Sequence, residues 1–172
     1  MTNTKTIAIT VPDFQTSTPD VLSAEVDKAV QAYSGVTNEI IAQVQRGHLP
    51  NEGMLYAIVL LGQLRAANAA TVLIEKIDFK PAKKDTSGGI GRWGPYPAQE
   101  ALVKIGTPAV NMVLDKLPTE QNDLRRQLMC SVISDAVGKR VADAMLRFRY
   151  EEEHDAAHRA NLEAAIRVLQ QL

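Results

Sequence analysis

His154-Asp155-Ala156-Ala157-His158 sets two imidazoles at i and i+4, a spacing that lets one helix face hold a zinc ion. An acid even follows the first histidine, where HExxH metalloproteases carry their glutamate. The match stops there. Asp155 is one methylene short of a side chain that reaches a metal-bound water, and the sequence offers no identifiable third ligand. With Glu151, Glu152 and Glu153, Asp155 reads instead as first-turn acid, which the positive end of a helix favours. His154 and His158 are therefore a weak metal candidate on an exposed helix start, and no metal or cofactor is expected.

Gly89-Ile90-Gly91-Arg92-Trp93-Gly94 formally matches the dinucleotide fingerprint GxGxxG. That motif works only where a strand runs into it and a helix opens from it, so that backbone amides meet a pyrophosphate. Here a lysine-rich stretch precedes it and Pro95 and Pro97 follow, so nucleotide binding is rejected. The surrounding segment, 80–97, holds the only tryptophan and is long for a connection inside a compact domain. In one reading it contacts a partner through Arg92, Trp93 and Tyr96, residue types favoured at interface hot spots. In the other, Trp93 folds back to cap neighbouring helices and the lysines are merely solvated.

Elsewhere the sequence offers little chemistry. Cys130, the only cysteine, excludes an internal disulfide and a multi-thiolate zinc site, and it falls inside a helical pattern as a small core residue. Arg125, Arg126, Lys139, Arg140, Arg147 and Arg149 gather positive charge, but the acids at 151–155 follow at once, which points to local ion pairs. With 19 basic against 20 acidic residues the net charge is −1, giving no global attraction to nucleic acid or an anionic membrane. No run approaches a membrane span and no secretory leader is visible, so a cytoplasmic location is the default expectation.

The elements that must position these residues are helices. The template apolar at i, i+3, i+4 and i+7 marks one helix face. It fits Val26-Ala29-Val30-Tyr33, Met54-Ala57-Ile58-Leu61 and Ala70-Leu73-Ile74-Ile77. It recurs at Ala98-Ala101-Leu102-Ile105, Val110-Val113-Leu114-Leu117 and Met129-Val132-Ile133-Ala136. Val141-Ala144-Met145-Phe148 and Leu162-Ala165-Ile166-Leu169 complete the series. The stripes arrive in pairs that keep their offsets: Ala98 to Met129 and Val110 to Val141 are both 31 residues. Met54 to Ala98 is 44 and Ala70 to Val110 is 40, the excess being the 80–97 insertion. The spacing predicts helices at about 20–34, 37–46, 52–64, 68–78, 97–105, 107–117, 120–137, 139–150 and 154–171. Gly106 should end one helix, with Thr107 as the cap and Pro108 in the first turn of the next. Gly62 and Gly138 sit near the equivalent corners, and Pro118-Thr119-Glu120 should open the helix leading to Met129. Residues 1–19 alternate at Ile7, Ile9 and Val11 and are expected to form an extended arm, leaving 20–172 as one helical domain.

The run Ala101-Leu102-Val103-Lys104-Ile105-Gly106-Thr107-Pro108-Ala109-Val110, ending Val113-Leu114-Asp115-Lys116-Leu117, resembles a HEAT-type repeat of the short bacterial branch related to phycobilisome-lyase repeats. Ala57 to Gly62 followed by Ala69 to Ile77 resembles a second copy. The copy around Gly138 departs from the pattern, with Lys139-Arg140 in place of Thr-Pro. The resemblance spans roughly residues 53–150 and implies a right-handed α-solenoid of stacked antiparallel pairs, each burying its apolar face against the next. It implies no particular chemistry. The expected function is a non-catalytic protein-interaction scaffold using the concave face and the 80–97 loop. Thr71, Glu75, Asn111, Asp115, Arg140 and Arg147 lie off the apolar stripes of the second helices and would project from that face. A DNA-repair glycosylase on the same fold would need a basic, aromatic-lined face, against which 5% aromatic residues and a net charge of −1 both argue. A structural segment that self-associates weakly through Leu162, Ala165, Ile166, Leu169 and Leu172 is the other alternative.

Overall fold

The computed structural model describes residues 18, 20–22, 37–82 and 94–172. The expected N-terminal arm, the Val26 stripe, Arg92 and Trp93 lie outside the described residues. All regular structure among those described is helical. Residues 20–22 are helical and carry Leu22 into the core. The helices that follow are α1 (Thr37–Arg46), α2 (Asn51–Gln63), α3 (Ala70–Glu75, preceded by a 3-10 turn at Ala67–Ala69) and α4 (Pro97–Ile105). Beyond them come α5 (Thr107–Lys116), a 3-10 turn (Leu117–Thr119), α6 (Asp123–Val137), α7 (Lys139–Glu152) and α8 (Ala156–Gln171).

Packing follows the apolar stripes. Helix α2 lies against α4, α4 against α6 and α6 against α8, while α3 lies against α5. Helix α7 rests on both α6 and α8. The couplets α4–α5 and α6–α7 are thus adjacent through α4, α5 and α6. One continuous core runs from Leu22 and Ile40 through α2 to Leu162 and Leu169. Each buried Leu, Ile or Val contributes about 1.5–3 kcal/mol, so three or four per helix hold neighbours together. Helix α2 is the innermost: residues 53–62 are all buried, which its nearly unbroken apolar sequence allows. Gly62 lies in the last turn of this helix, near the corner as expected. A Cβ there would stand 2.6 Å from Ala101 Cα, so the missing side chain sets how closely α2 approaches α4. The corner itself is a Schellman turn, with Arg65 N–H donating to Gly62 O and Ala66 N–H to Leu61 O. Arg65 occupies the left-handed position there, at φ +48°.

Two other corners are built alike. Gly106 at φ +80° and Gly138 at φ +86° each join two helices as a single residue. Both lie in a region that is essentially glycine-only. Thr107 is accordingly the first residue of α5, not its cap. Pro118 and Thr119 form the short 3-10 turn rather than the start of α6, which is capped by Asn122 Oδ1 accepting from Arg125 N–H at 3.1 Å.

The larger departure concerns α7. Its periodic stripe Val141-Ala144-Met145-Phe148 was expected to face the core. Instead Ala142 and Leu146 are the buried pair, and of the stripe Met145 alone packs, half-buried, against the core. Val141 is 51% and Phe148 58% exposed. Two apolar faces exist on this helix, and the narrower one is used inside.

Candidate functional site

The stripe Val141-Ala144-Met145-Phe148 lines a groove. Gly138 ends α6 and turns the chain at once into α7, so Lys139 and Arg140 open that helix and Val141 follows in its first turn. Val141, Ala144, Met145 and Phe148 then form one wall, about two helical turns long. Leu114 on α5 supplies apolar surface opposite, and Asn111, Arg140 and Arg149 stand at the polar margin. The groove measures about 480 Å³. An ion pair from Arg149 to Asp115 bridges α7 and α5 beside it. Arg149 is thereby neutralised locally, whereas Arg140 is exposed and has no ion pair among the described residues.

Two smaller hollows flank it. Between α3 and α5, Thr71, Glu75, Met112, Asp115 and Arg125 surround about 220 Å³. Between α7 and α8, Lys139, Arg140, Asp143 and Arg147 line about 420 Å³. Arg147 Nε donates to Asp143 Oδ2 at 2.7 Å, and this hydrogen bond is the main reason the guanidinium pKa is raised. Of the residues singled out on the second helices, Asn111 and Arg140 meet in the main groove. Thr71, Glu75 and Asp115 share the α3–α5 hollow, and Arg147 lies beyond Arg140 toward α8. Tyr96 immediately precedes α4 and is half-buried against the core.

The remaining sequence candidates resolve into structural roles. Asp155 caps α8, its carboxylate accepting from the N–H groups of Ala157 and His158 at 2.9 Å. The His158 amide contributes most to a lowered Asp155 pKa. Glu153 accepts the N–H groups of Asp155 and His154 and faces His158 Nδ1 at 3.4 Å, and its pKa is lowered chiefly by the Asp155 amide. No three His, Cys, Asp or Glu side chains converge on a metal position among the described residues. Of the glycine-rich segment, only Gly94 is described, and its N–H donates to the Glu100 carboxylate in the first turn of α4. Cys130 is buried, with Sγ 3.5 Å from Ala165 O. Burial pushes its thiol up to about 12, with Arg126 pulling weakly the other way, so no thiolate is on offer at neutral pH. Leu162, Ala165, Ile166 and Leu169 are buried within the chain, leaving Leu172 as the exposed member of that set.

Compared with known proteins, the chain matches no family model, no curated protein sequence and no solved structure. The groove must therefore be read from its own chemistry. It contains no nucleophile, no perturbed acid–base pair and no candidate metal ligands. It holds apolar surface, hydrogen-bonding groups and, among the described residues, one cation without an ion pair, Arg140. The membership of Val141 and Phe148 was not legible as a site, because a stripe at helical spacing looks the same whether or not a neighbour covers it.

Proposed function

We propose that the chain is a non-catalytic protein-interaction module, a right-handed α-solenoid of HEAT-like helix pairs. Partners would meet it on the face made by the second helix of each pair, α3, α5 and α7. The repeat reading is supported by the matching glycine corners at Gly106 and Gly138, and by first helices α2, α4, α6 and α8 packing in chain order. The observation that carries the interaction reading is the exposed apolar stripe of α7, with Val141 and Phe148 more than half open to solvent in a groove. Apolar surface collected in a concave site and rimmed by polar groups is the usual mark of a partner surface. A nucleic-acid enzyme fits less well, since Arg147 and Arg149 are already paired with Asp143 and Asp115. Among the described residues no helix is long and apolar enough to cross a membrane.

The test is affinity capture with the immobilised full chain against native lysate, competed by soluble chain. The reading expects a protein retained saturably and released by the competitor. If no protein is retained in this way, the module reading is wrong.

A further inference from the structure

We propose that the α5–α7 groove receives an amphipathic helix of a partner protein, apolar on the docking face and acidic at the end that meets Arg140; this rests on the interaction reading above. Three observations carry it. The wall contributed by α7 is itself a helix face, with side chains at i, i+3, i+4 and i+7, and such a ridge matches the groove of another helix. Its length, from Val141 to Phe148, is about two turns, or roughly 10 Å, which accommodates one apolar i to i+7 set on the incoming helix. The volume of 480 Å³ is on the scale of the few aliphatic side chains that one face of such a helix would insert.

Charge selects the occupant further. Asp115 is cancelled by Arg149 and Asp143 by Arg147. What is left over at the start of α7 is Arg140, exposed, beside Lys139, whose Nζ donates to Gln170 O at 3.2 Å. The acids Glu151 and Glu152 lie past Phe148 at the far end of α7 and outside the groove lining. An occupant with carboxylates near Arg140 gains attraction there, and a basic one is repelled. A second copy of this chain docking stripe to stripe would offer Arg140 no carboxylate, since the charged residues of the groove lining are Arg140 and Arg149, so charge does not favour that arrangement. Single-stranded nucleic acid would want a row of aromatic platforms, and Phe148 is the sole aromatic in the groove.

The probe is a fluorescein-labelled synthetic helix with leucine at i, i+3, i+4 and i+7 and glutamates at one end, read by polarisation with the full chain. A twin peptide carries lysine in place of glutamate, and a labelled oligothymidine stands for nucleic acid. The acidic peptide is expected to bind in the micromolar range, and the lysine twin about tenfold or more weakly. Arg140→Glu should invert that order. Val141→Ser with Phe148→Ser should abolish binding while leaving the circular dichroism spectrum and Tm in place, because both side chains are exposed. Equal binding of the two peptides, tighter binding of the oligothymidine, no binding at millimolar peptide, or insensitivity to the double serine variant would each overturn the proposal. So would light scattering that shows a dimer dissolved by Phe148→Ser. A lysate partner captured equally by the wild type and the double serine variant would leave the interaction reading standing and sink the groove assignment alone.

Discussion

Replacing Arg125 by alanine asks whether successive helix pairs are joined by polar contacts as well as apolar ones. Arg125 sits in the first turn of α6 and reaches back some fifty positions to the end of α3. Its Nη2 donates to Ile74 O at 3.0 Å, and Nη1 donates to Glu75 O at 3.2 Å and to Asp78 Oδ1 at 2.9 Å. Its Nε donates to Glu120 Oε2 at 2.9 Å. Helix ends leave carbonyls without regular intrahelical donors, so one guanidinium closes α3 and pins it to α6. The Arg125 side chain is 17% exposed and Glu120 11%, whereas Asp78 is open to water at 41%. Truncating one partner of a well-buried pair costs about 3–5 kcal/mol, and exposed pairs contribute under about 1 kcal/mol. A half-dry hub with four acceptors falls between, so Arg125→Ala should lose about 3 kcal/mol. That is a large fraction of a stability of about 5–15 kcal/mol. Arg125→Lys keeps the charge, but one ammonium cannot reach acceptors spread around a planar fork, so it should recover less than half of the loss. Urea unfolding with an unchanged m-value is the assay. A loss below about 1 kcal/mol, or full recovery by lysine, would refute the idea that the fork geometry joins the pairs.

Gly62→Ala should destabilise although alanine is the better helix former. The new Cβ would meet Ala101 Cα at 2.6 Å and Cβ at 2.7 Å, so overpacking of about 1–3 kcal/mol outweighs a propensity gain of up to about 1 kcal/mol. Thermal melts decide it, and a raised Tm would contradict the close approach of α2 and α4. Cys130 should resist thiol reagents at pH 8 until the chain unfolds, since it is buried and its thiol is pushed up to about 12; rapid labelling of the native protein would show the packing of α6 on α8 to be wrong. Acid should unfold the chain through Glu120, Glu153 and Asp155, whose pKa values are all lowered in the folded state. For Glu120, burial acts against the carboxylate but is outweighed by the Asn122 amide and Arg125. The stabilisation from such groups is complete above the ordinary carboxylate range near pH 4 and is lost as pH falls through the folded-state values. Glu120→Gln with Asp155→Asn should therefore flatten the acid limb of stability against pH, and an unchanged limb would count against these pairings.

The number and limits of the helices were largely readable in advance because local physics sets them. Pro97 and Gly106 bracket α4 where the periodic pattern begins and ends, and α1 and α4 fall at the expected residues. The same locality explains the small errors. Gly106 serves as the end of one helix and the start of the next, so Thr107 was displaced by one position, and the Pro118 turn preceded α6 instead of beginning it. Gly62 lies near its corner as expected, but its close approach to Ala101, 39 positions away in the chain, is a long-range contact that no local pattern shows.

What the sequence determined alone, among the described residues, is the run of amphipathic helices and the place of Cys130 on a buried helix face, since each depends on neighbours within a turn or two. Only the tertiary structure decided which of the two apolar faces of α7 goes inside. Ala142 and Leu146 are buried where α7 packs on α6 and α8, and the two ends of the better-patterned stripe, Val141 and Phe148, are left open in a groove. Periodicity records that a face is apolar; whether another helix lies close enough to cover it depends on contacts between residues far apart in the chain, which no local pattern encodes.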